Sequence, residues 1–102
     1  MARVVVLFNL KDDVDVAVYE DWARSTDLPV VNNLESVDQF TVHRSVGLLT
    51  GEGEAPYDYV EILDINNMET FAGELAEDNM QKVAAEFNSF ADNPVFILAE
   101  AL

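Results

Sequence analysis

Cysteine is absent from the 102 residues. That excludes a disulfide framework, a thiolate nucleophile and any Cys-based metal site. Basic residues are nearly as scarce: 5 Lys and Arg stand against 20 Asp and Glu, for a net charge of −15. A surface of that sign repels phosphates and anionic lipid, which argues against nucleic acid and membrane partners. Adaptation to salt, or a need for solubility, produces the same composition. There is a single histidine, His43, so a multi-His metal site is excluded as well. No apolar run approaches the length of a membrane span, and residues 4–8 are too short for the core of a signal peptide. The expectation is a cytoplasmic protein. What is present is a 50% hydrophobic chain with a quarter of its residues charged. That composition predicts one folded domain over residues 1–102.

Residues 4–10, "VVVLFNL", are apolar on both faces, as a central strand requires. Asp15 is placed to cap a helix through Val16, Tyr19, Trp22 and Ala23, and Pro29 predicts that this helix stops near Ser25. Residues 37–49 alternate, with Phe40, Val42 and Val46 on one face and Gln39, Thr41, His43 and Ser45 on the other. After a polar loop at 50–56, residues 57–65, "YDYVEILDI", form the next strand. Asn66 with Glu69, and Asp78 with Gln81, each make a capping-box pattern before an apolar helical run, with a break at 77–79. Asn93-Pro94 ends the second run, and "VFILAEAL" is a final strand. The order is βαββαβ, the ferredoxin-like plan: one antiparallel sheet with both helical segments on one face and strands one and three in the middle. Strands one, three and four are too apolar for a solvated outer face, so a homodimer packed sheet against sheet is expected.

Glu61 is the anomaly in this pattern. It sits at the middle of a central strand, where an unpaired carboxylate is expensive, and burial would raise its pKa toward the range useful for proton transfer. If paired positions of the second and third strands sum to 104, His43 faces Glu61, Ser45 faces Tyr59 and Val42 faces Ile62. A one-residue slip puts Arg44 beside Tyr59 and Val42 beside Glu61. The first register keeps apolar beside apolar and is preferred. Glu61 and His43 are therefore the candidate proton carriers, and a satisfied polar contact between them is the plainer alternative. Tyr19, Trp22, Tyr57, Tyr59, Arg44 and Phe87 are the candidate substrate-binding residues, because the tyrosines and Trp22 bring polar handles to an apolar wall. Ordinary core packing explains such helical spacing equally well. Arg24 and Asp27 are read as pairing or capping the helix end, with a ligand role the lesser alternative. No metal or cofactor motif occurs, and "GEGE" joins two strands and is not a phosphate loop.

The runs "VVVLFNLK", "YEDWARSTDLPVVNNL", "APYDYVEILDI" and "MQKVAAEFNSFADNPVFIL" resemble the RedY/HapK-like family of the dimeric α+β barrel superfamily, over nearly the whole chain. "STDLP" and "FADNPVFIL" are the most specific parts. Asp12-Asp13 departs from the Pro-Gly turn expected after the first strand. The resemblance implies a homodimer with a pocket in each protomer for a small aromatic or heterocyclic ligand. It also implies an association with prodiginine-type secondary metabolism. Three functions follow. The protein is a cofactor-independent proton-transfer enzyme, a non-catalytic carrier of a biosynthetic intermediate, or a structural dimer whose pocket is filled by its own side chains.

Overall fold

The computed structural model describes residues 2–102; Met1, the first residue of the predicted domain, lies outside them. Four strands, β1 (Ala2–Leu10), β2 (Val37–Arg44), β3 (Tyr59–Ile65) and β4 (Ala91–Glu100), form one antiparallel sheet in the order β2-β3-β1-β4. The two central strands are those with apolar side chains on both faces, as the composition demands. Period-two alternation gives each strand one face against the helices. Val6, Phe8, Phe40, Tyr59, Leu63 and Ile65 are buried there, and Phe8 is wholly inaccessible. Tyr19, Phe71, Met80, Val83 and Phe87 close the core from the helical side.

Helix α1 (Val16–Trp22) begins as its sequence predicts, with the Asp15 carboxylate accepting from the Ala17 N–H at 2.8 Å. It does not stop at Ser25. The chain widens into a π-turn over Ala23–Asp27 and continues as α2 (Leu28–Asn32). The Leu28 N–H donates to the Ala23 carbonyl, five residues back, and Leu28 remains helical before Pro29. Pro29 has no N–H to contribute and takes the first turn of α2, so the wider turn carries the helix past it. Asn32 then reaches β2: its Oδ1 accepts from the Phe40 N–H at 2.9 Å, and its Nδ2 donates to the Phe40 carbonyl at 3.0 Å.

Helix α3 (Met68–Leu75) is capped by Asn67, one residue later than the sequence pattern suggests; its side chain accepts from the Thr70 N–H at 2.9 Å. Asn66 instead ties β3 to the turn before β2, donating to the Glu35 carbonyl and to Asp38. Helix α4 (Asp78–Phe90) has Glu77 at its N-cap without a side-chain bond, and Gln81 donates to the Leu75 carbonyl, so no capping box forms there. Strand β4 starts at Ala91 and includes Asn93 and Pro94, which the sequence placed in a turn. Asn93 adopts φ 46°, and the register with β1 shifts between Leu7 and Asn9. An edge strand with a local irregularity is where proline is tolerated. Strand β2 is shorter than predicted, ending at Arg44, and β3 begins at Tyr59, leaving Tyr57 in the preceding loop.

The register of β2 on β3 is the one-residue slip. Val42 pairs with Glu61, Arg44 with Tyr59 and His43 with Val60. The physical reason lies in β3. Tyr59, Leu63 and Ile65 are a larger apolar set than Val60 and Ile62, so the odd-numbered face turns to the core and takes Glu61 with it. The apolar face of β2, Phe40 and Val42, must join that side. His43 and Thr41 go to the opposite face, so Glu61 and His43 lie on opposite sides of the sheet. That opposite face carries Val5, Leu7, Val60, Ile62, Val95 and Ile97, and no helix covers it.

Candidate functional site

Glu61 is held between Val6 of β1 and Val42 of β2 and is 5% exposed. Its Oε2 has no hydrogen-bond partner. Burial pushes its carboxyl well above the usual range, and the negative charge of Asp27 pushes in the same direction. The nearby Tyr19 hydroxyl acts the opposite way, although the hydroxyl forms no well-aligned bond. Asp27, which the sequence suggests as a partner or cap at the helix end, is buried instead. It is 4% exposed, its Oδ2 is also unpartnered, and burial raises its carboxyl to about 7. It makes no ion pair or cap; the π-turn carries it inward. The legible signal was "STDLP" itself, an acidic residue just before a proline that the helix has to accommodate.

Tyr19 Oη and Trp22 Nε1 are likewise buried without partners. Burial, with Glu61 and Asp27 close by, raises the Tyr19 phenol. Four unpartnered polar atoms thus fall on β3, α1 and the π-turn in a region otherwise built of aromatic rings. Tyr19 meets Phe8 at 5.7 Å, Tyr59 at 4.8 Å, Trp22 at 6.0 Å and Phe90 at 5.6 Å between centroids. Phe8 stacks on Tyr59 at 5.4 Å and meets Phe87 edge-on at 4.9 Å. A native interior satisfies nearly all its polar groups, so four orphans in one region need a reason.

Glu20 organises the rim. It accepts from the Tyr59 hydroxyl at 2.7 Å and pairs with Arg44 at 3.0 Å and Arg24 at 3.2 Å. The Tyr59 bond, followed by the two guanidiniums, holds its carboxyl below the usual range against the opposing effect of partial burial. Burial first, and then this same bond, raises the Tyr59 phenol. Both arginines near the buried acids are therefore already engaged, and neither reaches Glu61 or Asp27.

Two hollows meet at this rim. A cleft of about 550 Å³ is walled by Lys11, Val14, Arg44, Ser45, Tyr57 and Tyr59, among others. A recess of about 120 Å³ is walled by Tyr19, Glu20, Ala23, Leu28, Val42 and Tyr59, with Arg24 and Arg44 at its edge. Arg44 and Tyr59 belong to both. Glu61 lines neither, but its neighbours Tyr19, Tyr59 and Val42 wall the recess. Of the candidate binding residues, Tyr19, Tyr57, Tyr59 and Arg44 line a hollow. Phe87 is core, and Trp22 packs behind Tyr19 and against Phe90 at 5.2 Å. His43 is exposed on the far face with its Nε2 3.0 Å from the Thr41 hydroxyl, so it has no part in this site. Among the described residues no cluster of three or more Asp, Glu or His is placed to hold a metal ion, and no helix is long and apolar enough to cross a membrane.

An antiparallel β2-β3-β1-β4 sheet with helices on one face defines a ferredoxin-like fold, and solved structures it resembles are described as ferredoxin-like, one of them dimeric and another of the dabb family. The chain belongs to the HapK family, described as "REDY-like protein HapK", whose model matches residues 2–102. HapK from Hahella chejuensis superposes with a TM-score of 0.79 at 24% identity, over 100% of this chain and 93% of that one. A hydroxynitrile lyase from Passiflora edulis gives a TM-score of 0.82 at 11% identity, over 99% and 93%. A dimeric ferredoxin-like protein of unknown function from Thermobifida fusca gives 0.76 at 15%, over 98% and 90%. No curated protein matches the chain in sequence.

Proposed function

We propose that this chain is a homodimeric small-molecule protein of secondary metabolism that moves protons on a pyrrole- or indole-like intermediate without a cofactor. The observation that carries the reading is Glu61: a carboxyl enclosed in the core with one oxygen unpartnered, behind the wall of a recess that shares Arg44 and Tyr59 with a larger cleft. A carboxyl held protonated by burial can donate at neutral pH and accept the proton back. Its charge develops where water is excluded and aromatic walls are in place, which suits planar ligands. The larger cleft has room for the body of such a ligand, and the recess for its reacting edge. Family membership supports the pathway class, and the hydroxynitrile lyase shows that this fold also hosts lyase chemistry. The uncovered apolar sheet face supports pairing with a second copy, as in solved neighbours described as dimeric. Glu61 takes the proton-carrying role alone, since His43 is on the other face.

A non-catalytic carrier is the second reading, favoured by the fact that Glu61 stands behind the recess wall and not in it. One experiment separates the two. Indole and pyrrole-2-carbaldehyde are titrated against the fluorescence of Trp22, the single tryptophan. Ring-carbon deuterium uptake from D2O is then followed by proton NMR. The enzyme reading expects saturable quenching and protein-accelerated exchange, with exchange lost and quenching retained in Glu61→Gln. Quenching without accelerated exchange establishes the carrier, and neither signal refutes both.

A further inference from the structure

Cations are scarce in this protein, and they are unevenly placed. The five are Arg3, Lys11, Arg24, Arg44 and Lys82. Lys11 and Arg44 line the cleft of about 550 Å³, and Arg24 and Arg44 line the smaller recess. A chain of net charge −15 repels anions in general, so the places where its cations gather are the places where an anion can be held. Lys11 directly follows β1 and Arg44 ends β2, and one residue fixes the spacing between them. Asp58 accepts from the Leu10 N–H through Oδ2 at 3.0 Å and from the Ser45 N–H through its carbonyl at 2.8 Å. Its own N–H donates to the Phe8 carbonyl at 3.1 Å and to Asn9 Oδ1 at 2.9 Å. The Lys11 N–H donates to the Phe90 carbonyl at 2.9 Å. The neighbours of both cations are thus clasped to one point, and both side chains wall the same cleft. Neither cation is used up. Among the described residues Lys11 forms no ion pair, and Arg44 meets Glu20 through Nε alone, at 3.0 Å. The terminal nitrogens of Arg44 keep their donors for something else.

We propose that Lys11 and Arg44 form the carboxylate-binding end of the cleft, so that its ligand is an aromatic acid carrying one negative charge. This deepens the small-molecule reading and rests on it, but it does not depend on Glu61 carrying a proton. The terminal nitrogens of a guanidinium match the two oxygens of a planar carboxylate, and the Lys11 ammonium adds a second point of charge. Tyr57 and Tyr59 wall the same cleft and supply aromatic surface for the body of the ligand. Two acids also line this cleft, and they limit the charge it accepts. Asp58 is held by the Leu10 N–H, and Glu54 belongs to the loop between β2 and β3. Against them a phosphate monoester, with close to two negative charges at neutral pH, meets more repulsion than a carboxylate with one. A neutral amide of the same shape gives the two cations no charge to hold. The cleft therefore selects a monoanion over both its neutral isostere and a dianion.

The test is isothermal titration calorimetry of the full chain at neutral pH with indole-2-carboxylate and its neutral isostere indole-2-carboxamide. The acid is expected to bind at least about tenfold more tightly. Lys11→Gln should bring the two Kd values to within about threefold while leaving that of the amide unchanged. Arg44→Gln should do the same, which keeps the test open if one variant fails to fold. Lys82→Gln removes an equal charge from α4, outside both hollows, and should keep the full preference for the acid. Benzoate should bind more tightly than phenyl phosphate. Equal affinities for acid and amide would overturn the carboxylate site and leave the small-molecule reading standing. A preference that falls as far in Lys82→Gln as in Lys11→Gln would overturn it too, by assigning the effect to overall charge. Tighter binding of phenyl phosphate would replace it with a phosphate site. Failure of the acid and the amide alike to bind would overturn this inference together with the reading it rests on.

Discussion

Replacing Asp27 by asparagine should stabilise the protein, and by an amount that depends on pH. The folded protein holds the Asp27 proton up to about pH 7, against 3.8 for an unburied aspartate. The native state therefore binds the proton more tightly than the unfolded chain. The contribution of this group to stability is complete below pH 3.8 and is lost as pH rises through 7. Between those limits the loss is about 1.36 kcal/mol per pH unit. From pH 5 to pH 7 that comes to roughly 2.5 kcal/mol. Asparagine is neutral throughout and has no such slope, and removing the charge also relieves Glu61. The gap between variant and parent should thus widen by about 2 to 3 kcal/mol across that interval. For a domain of this size that is about 10–20 °C in Tm. Urea unfolding at pH 5, 6, 7 and 8, at fixed salt and protein concentration, measures it directly. Parallel pH profiles for the two proteins would refute the claim that Asp27 ionises inside the fold.

Asn32→Ala removes both bonds to Phe40 and a third, from Asn32 Nδ2 to the Leu28 carbonyl at 2.8 Å. At about 1 kcal/mol per net bond, urea unfolding should register a loss of about 3 kcal/mol. Phe8→Ala empties the centre of the aromatic cluster and should cost about 3 to 5 kcal/mol by the same assay. Ile62→Lys places a charge in the middle of the uncovered sheet face. It is expected to halve the mass seen by light scattering while leaving the far-ultraviolet circular dichroism unchanged.

The topology was legible because its signals are strong and local: β-branched runs apolar on both faces, an Asp15 cap, and helical spacing through α3 and α4. Glu61 was legible for the same reason, as a charge that breaks a pattern. The register of β2 was not, because it depends on which face of β3 has the greater volume to bury. Comparing Tyr59, Leu63 and Ile65 with Val60 and Ile62 would have settled it, while matching single apolar pairs did not. Losing that register moved His43 out of the site. Asp27 was illegible for a different reason. Proline normally signals the end of a helix, and only the wider π-turn lets the chain continue and rotate this side chain inward. Pro94 misled in the same way, since its place on an edge strand depends on tertiary position and not on local preference.

The contact between Asn32 and Phe40 has a consequence for how copies of this chain can meet. Outward-facing backbone groups of a border strand are an open template for adding further strands. Here one amide side chain occupies a donor and an acceptor on the β2 border, while Asn93 and Pro94 disturb the border formed by β4. Growth by strand addition is discouraged at both margins, while the flat of the sheet remains apolar and uncovered. In the proposed homodimer, association through that flat would consume it in a single step, so such an assembly would close at two with nowhere to polymerise.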